Sequence, residues 1–329
     1  MLCAAALAAC GGADEGDDAA EQAIAQTFSS SASSIERAKI NARLQLDPEG
    51  LLAIGGPIVL EVTGPFSVAG GGSPQLDLAF AATLAGEQYD GAIISTAKKN
   101  FLKLDDRTYS IDDGFVSKLR GGTQKARKSG LKDTLGIDPS AWIRNPQTKG
   151  NEQVGGVETD RIGGDVDASK LLTDLATLLD KLGGSSSKRG GGFLTPKLRK
   201  QIADAVKSAK IDVWTGAKDK ILRQIAVAIQ FEFRPDAKPP IAGLEAGKIN
   251  IRLRLDDVNG APVKVSAPKN ARPLSKLTGG GLQTFIAGLG ASLTGSAKGG
   301  VGGPPLLGCL TKANGRSVAI VRCVSKLAP

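Results

Sequence analysis

The chain has 329 residues, 41% apolar and 23% charged, with a formal net charge of +9. The apolar share is enough for a core, but aromatics reach only 4% and histidine is absent. Without histidine, Ser-His-Asp and Cys-His catalysis and the commonest zinc ligand are excluded together, and no apolar run reaches the roughly 18 residues of a membrane-spanning helix.

The chain opens with ten uncharged residues that end in Leu7, Ala8, Ala9 and Cys10. Small side chains before a cysteine suit a peptidase that cuts there and a thiol free to take a diacylglyceryl group. The four positions resemble the lipobox of bacterial lipoproteins. A secretory signal also needs a basic n-region and an apolar stretch of about 7–15 residues. No base precedes Cys10, so residues 1–9 read as a lipoprotein signal truncated by a start site placed too late. From Gly11 to Ser34 the chain is mostly Gly, Ala, Ser and acids (Asp14, Glu15, Asp17, Asp18, Glu21), with no base, so residues 10–34 read as an acidic flexible tether. The resemblance implies an extracytoplasmic protein held at the cell membrane by lipid, palmitate among its acyl groups, on Cys10.

Strict alternation then sets in. In 37–47 the apolar residues are Ala38, Ile40, Ala42, Leu44 and Leu46; in 75–84 they are Leu76, Leu78, Phe80, Ala82 and Leu84. Ile225, Val227, Ile229, Phe231 and Phe233 form the series in 224–234, and Ile249, Ile251, Leu253 and Leu255 the one in 248–256. A period of two gives one buried and one wet face, as in antiparallel strands. Weaker strand patterns lie at 57–63, 90–96, 100–104, 107–111, 157–163 and 209–215. "KINARLQLD" (39–47) and "KINIRLRLD" (248–256) share seven of nine positions. No other segment continues that period, so the two read as strands of one sheet in the same environment.

Two helices interrupt the strands. Residues 169–182 place Leu171, Leu172, Leu175, Leu178, Leu179 and Leu182 on one stripe. Residues 195–209 open with Thr195 as N-cap and Pro196 at the first helical position, with a stripe through Leu198, Ile202, Ala205, Val206 and Ala209. The glycine- and serine-rich stretch 183–192 between them reads as a flexible loop. Glycine also dominates 277–306, which reads as a linker. Residues 307–329 regain order as two short helical pieces around Asn314-Gly315. Once Cys3 leaves with the signal and Cys10 takes lipid, Cys309 and Cys323 remain, an even pair that in an exported protein points to a disulfide.

Together these features resemble the LolA-like lipoproteins, in particular the actinobacterial LppX/LprA/LprF/LprG family. The resemblance covers about residues 35–270 and is sharpest in "VGGVETDRIGGDVDASKLL" (154–172) and "AKIDVWTGAKDKILRQI" (209–225). It implies an α+β fold over 35–276, a strongly curved antiparallel sheet forming an open half-barrel covered by helices. It also implies an apolar cavity holding acyl chains of a lipid or glycolipid. The alternating apolar sets put Leu44, Leu46, Leu76, Leu78, Phe80, Ala82, Phe231, Phe233, Ile251 and Leu253 on its lining. Alternation alone leaves open whether that space is hollow or filled. A filled core would make the protein a structural or sensory surface lipoprotein instead of a carrier.

Enzymatic signatures find no support. Ser-x-x-Lys occurs at 129–132 and 185–188 without the companion motifs of that chemistry, and 288–295 lacks the lysine of a phosphate loop. The pairs Asp105-Asp106, Asp112-Asp113 and Asp256-Asp257 fall at strand ends and read as turn formers; no cofactor or metal site is expected. In 117–132, Lys118, Arg120, Lys125, Arg127, Lys128 and Lys132 form a basic stretch without stacking aromatics. That argues against nucleic acid and for a solvated loop, or a contact for anionic headgroups.

Overall fold

A computed structural model describes residues 14–50, 56–68, 75–96, 98–111, 138–183, 196–234, 244–278, 308–309 and 312–326. The strands are β1 (Arg37–Glu49), β2 (Ile58–Ser67), β3 (Gln75–Leu84), β4 (Glu87–Ser95), β5 (Asn100–Leu104) and β6 (Arg107–Ile111). After them come β7 (Ile143–Val154), β8 (Val157–Val166), β9 (Val206–Gly216), β10 (Leu222–Glu232), β11 (Ala246–Asp256) and the two-residue β12 (Arg272–Pro273). The helices are α1 (Asp14–Ser34), α2 (Ala168–Gly183), α3 (Pro196–Ala205), α4 (Ser275–Thr278) and α5 (Ser317–Ser325). All twelve strands join one sheet in the order β12-β6-β5-β4-β3-β2-β1-β11-β10-β9-β8-β7. Every pairing is antiparallel except β12 with β6, and the edge strands β12 and β7 do not meet. The fold is an open half-barrel with few helices.

The two near-identical segments are immediate neighbours. β1 and β11 pair from Lys39 opposite Asp256 to Asp47 opposite Lys248, so each segment's terminal charge meets the opposite charge at the other's far end. Apolar side chains meet apolar ones through Ile40–Leu255, Ala42–Leu253, Leu44–Ile251 and Leu46–Ile249. A slip of one residue would turn these rows to water, which fixes the register. From this midline the sheet extends as two meanders, β1 to β6 on one side and β11 back to β7 on the other.

Residues 14–34 are not a free tether. They form α1, whose Ala20, Ile24 and Thr27 are all at least 97% buried. The spacing of four and three residues is helical, but with small side chains on the stripe the composition reads as polar linker. Ser31 accepts a hydrogen bond from the Leu222 N–H at 2.8 Å, and Asn259 donates its side-chain amide to the Ser34 carbonyl at 2.8 Å, so the end of α1 is tied to the sheet.

The helix expected to run to Ala209 stops at Ala205, and β9 begins at Val206. Ala209, Ile211 and Val213 alternate onto the buried face opposite Ile229, Val227 and Ile225. Strand pairing overrides a stripe that both periods can claim. Thr195 and the loop at 184–195 lie outside the described residues. β7 has no alternation in its sequence because it is an edge strand with two register shifts, and only Pro146 and Val154 are buried. The expected linker starts too early: Leu277 and Thr278 are each 5% exposed in α4, and residues 279–307 lie outside the described set. At the C-terminus, Asn314 and Gly315 take left-handed φ values of 47° and 69°, and Cys309 is bonded to Cys323.

Candidate functional site

The β1–β11 register identifies one face of the sheet. Following the pairings outward, the Leu44 row continues through Leu60 on β2, Ala82 on β3 and Tyr89 on β4. Another row runs from Ala42 through Val62, Phe80 and Gly91 to Leu104. On β3 to β6, Leu78, Ile93, Leu102 and Tyr109 line up in the same way. All of the expected lining positions in strands lie on this inner face, and Phe233 packs against it just beyond β10. Leu60, Ile93 and Tyr89 were not in that set. In β2 the residues Ile58, Val59 and Leu60 are apolar in succession, which hides the face each side chain takes.

Four clusters cover parts of the face. Against α1, Ala20 and Ile24 pack with Ile162, Val166, Ile211 and Val213, with Ile251 and Leu253 at the margin. At the end of α3, Ala205 packs with Phe231 and Leu244, joined by Leu46, Phe233 and Ile249. The rings of Phe231 and Phe233 meet edge to face, their centroids 5.9 Å apart. On the other flank Leu104 and Tyr109 pack with Leu274, Leu277, Val318 and Val321, with Phe80 and Leu102 beside them. Tyr89 packs with Ala313, and Ala82, Leu84, Ala319 and Ile320 close around the pair. Of the expected lining, Leu46, Phe80, Ala82, Phe231, Phe233, Ile251 and Leu253 are thus divided among these clusters, and Leu44, Leu76 and Leu78 lie outside them.

Between the clusters the face is open. Leu44 is 36% exposed, its cross-strand partner Leu60 39% and Ile93 43%; Val157 alone among the other large apolar residues described is comparably exposed. Two rings are pressed onto the sheet beside this strip. A Cβ at Gly91 would lie 2.3 Å from Phe80 Cζ, and one at Gly247 2.8 Å from Phe231 Cζ. In each case the glycine is the ring's cross-strand partner, so the aromatic lies across it and the floor stays low.

Over β8 and β9 the outer face is polar, whereas on β4 and β5 it carries a buried apolar cluster of Ala92, Ile94 and Phe101 with Val265 and Ala271. Arg161 donates to both carboxylate oxygens of Asp212 at 3.1 and 3.0 Å and lies 5.1 Å from the centroid of the Trp214 ring, whose Nε1 donates to Glu152. The Asp212 bond raises the Arg161 pKa, keeping the guanidinium charged. A polar cleft of about 540 Å³ lies where β8 meets α2, lined by Arg144, Asp165, Lys207 and Lys210 among others. Its charges answer one another: Lys210 donates to Asp165 at 2.5 Å, which lowers the carboxyl pKa. Among the described residues no cluster of three metal-ligating side chains occurs. Asp105 and Asp257 occupy left-handed turn positions (both φ 52°), as expected of turn formers, and Asp105 also caps α5. Cys10, the basic stretch from Lys118 to Lys132, the Ser-x-x-Lys segments, Asp112-Asp113 and 288–295 fall outside the described residues.

No family model matches the chain, and neither does any curated protein. Solved structures do. The chain is similar to LprF from Mycobacterium bovis, with 15% identity over 76% of this chain and 97% of that one and a TM-score of 0.38. The Mycobacterium tuberculosis lipoprotein LppX gives 16% identity over 76% and 100% of the two chains, with a TM-score of 0.37. A LolA superfamily protein from Nitrosomonas europaea gives 8% identity over 74% and 94%, with a TM-score of 0.21.

Proposed function

We propose that this protein is an extracytoplasmic lipoprotein, anchored through lipid on Cys10, that binds acyl chains of a lipid or glycolipid on its inner face and carries or presents them at the cell envelope. The observation behind this reading is the open strip of Leu44, Leu60 and Ile93, apolar residues left 36–43% exposed on a face otherwise packed by helices. An acyl chain fits that surface. Each methylene removed from water contributes about 0.8 kcal/mol, so a long chain gains on the order of 10 kcal/mol without any polar constellation. The chemistry asked of the protein is burial, not bond-making, and the reading is accordingly non-enzymatic. The basic residues Lys118, Arg120, Lys125, Arg127 and Lys128 are the candidate contacts for anionic headgroups.

A filled core, and with it a structural or sensory role, is the second reading. It draws on the packing of Phe231, Phe233, Ile251 and Leu253 into the clusters against α1 and α3. Mass spectrometry of an organic extract from the purified soluble domain separates the two. A stoichiometric co-purified lipid is the expected result; a domain free of lipid that also takes up none when offered would leave the second reading. The anchor is tested separately. A precursor extended upstream and expressed in a host with lipoprotein processing should partition into detergent, and Cys10→Ser should release it; equal partitioning would remove the anchor.

A further inference from the structure

We infer that the C-terminal stapled element is a built-in stop, which limits how far an apolar chain can extend along the inner face. The inference rests on the acyl-binding reading above. Leu60, 39% exposed, and Ala82 are cross-strand partners, yet Ala82 already packs in the cluster of Tyr89, Ala313, Ala319 and Ile320. Along the Leu44–Leu60 row the open strip therefore ends within one strand spacing, and what ends it is a segment of the same chain. Ala313 is 1% exposed and Tyr89 3%, so that contact is closed to a ligand. Farther along, Val318 and Val321 cover Leu104 and Tyr109, the inner-face residues that would continue the floor.

The element is held as a fixed body. Asp105, on the β5–β6 turn, accepts the Ser317 and Val318 N–H groups at 2.9 and 3.0 Å, and Ser317 Oγ donates to the Asp90 carbonyl at 2.8 Å. The Cys309–Cys323 disulfide joins α5 to the segment before the turn, and Leu274 and Leu277 buttress its other side. Strands lie about 4.8 Å apart, so covering β5 and β6 removes about 10 Å of floor from the path of a chain lying across the strands. Bound chains are thereby confined to the stretch from β11 to Ile93 on β4.

Photolabelling tests this in the full soluble chain. A diazirine-bearing palmitate is bound and irradiated, and adducts are mapped by peptide mass spectrometry. The stop predicts adducts on peptides carrying Leu44, Leu60 and Ile93 and none on residues 100–111. In a variant lacking 307–329, residues 100–111 should become labelled. Adducts on 100–111 of the parent protein would overturn the stop and leave acyl binding standing, even if the shortened variant does not fold. Binding without adducts anywhere on the inner face, or no binding at all, would overturn the acyl-binding reading and the stop with it.

Discussion

Arg43 and Arg252 stand directly opposite each other at the β1–β11 junction, two like charges paired at the centre of the sheet's outer face. Glu61 on β2 accepts a hydrogen bond from Arg43, and Gln45 accepts a second at 3.1 Å. On its β10 side Arg252 has Ala226 as its cross-strand partner. Directly opposed like charges are destabilising, and reversing one yields about 0.2–1 kcal/mol. Arg252→Glu should raise the urea midpoint with the denaturant slope unchanged, an effect that shrinks in high salt.

Gly91 makes the converse case. A methyl group there would meet Phe80 Cζ at 2.3 Å and the Lys103 carbonyl oxygen at 2.6 Å, one movable and one not. Gly91→Ala should cost about 1–3 kcal/mol, as overpacking does, and shift the urea midpoint down.

The open strip should separate stability from binding. Leu44 and Leu60 are exposed enough that Leu44→Asn and Leu60→Asn should each change stability by less than about 1 kcal/mol. A leucine fully buried beneath a ligand is worth about 1.5–3 kcal/mol, so fatty-acid affinity should drop roughly tenfold or more for each. Titration with a fluorescent fatty acid, beside a melting curve on the same sample, reads both. Ala82 is a poorer probe than its alternation suggests, because Ala82→Trp would collide with Ala313 and Ile320 before it met a ligand.

Removing the staple should loosen the C-terminus selectively. The linked cysteines are 14 residues apart, a loop for which chain entropy gives about 3 kcal/mol. Cys309→Ser with Cys323→Ser should speed hydrogen exchange in α5 by orders of magnitude, while β1 and β11 amides keep their protection.

Alkaline pH should act at the same place. Burial, with a smaller contribution from the Glu87 charge, raises the Tyr89 phenol above its usual value, partly offset by a hydrogen bond with the Gly315 backbone. A raised folded-state pKa means that the unfolded chain ionises first. The associated stability is complete below the ordinary phenol range near 10 and is lost as the pH climbs through the folded value. Tyr89→Phe should flatten that decline, which urea melts between neutral and strongly alkaline pH would show.

The alternating strands were legible in sequence because each has one wet face. Asn100–Leu104 and Arg107–Ile111 even fall on their expected bounds. Three elements were not, each for its own reason. The buried stripe of α1 is made of Ala20, Ile24 and Thr27, too mild to stand out from a linker. The end of α3 overlaps the start of β9 in residues that satisfy both periods. β7 is an edge strand broken by bulges and carries no pattern. At the candidate site alternation found the face but not its cover. Which of Leu44, Phe80 or Phe231 stays open depends on where α1, α3 and α5 settle, a long-range outcome that the strand pattern does not encode.

The two ends of the chain embrace the opposite halves of the sheet. The N-terminal helix α1 packs over β7 to β10, whereas the C-terminal helix α5 latches onto β4, β5 and β6. The seam between the halves joins β1 to β11, segments some two hundred residues apart. Each half takes one of its covering helices from the far end of the chain, and each would present a bare strand edge until the other arrived. Such wiring has high contact order and folds late. A chain of this kind remains threadable until its last residues are free. Two fragments divided between β6 and β7 should accordingly be unstructured apart and recover the sheet only when mixed.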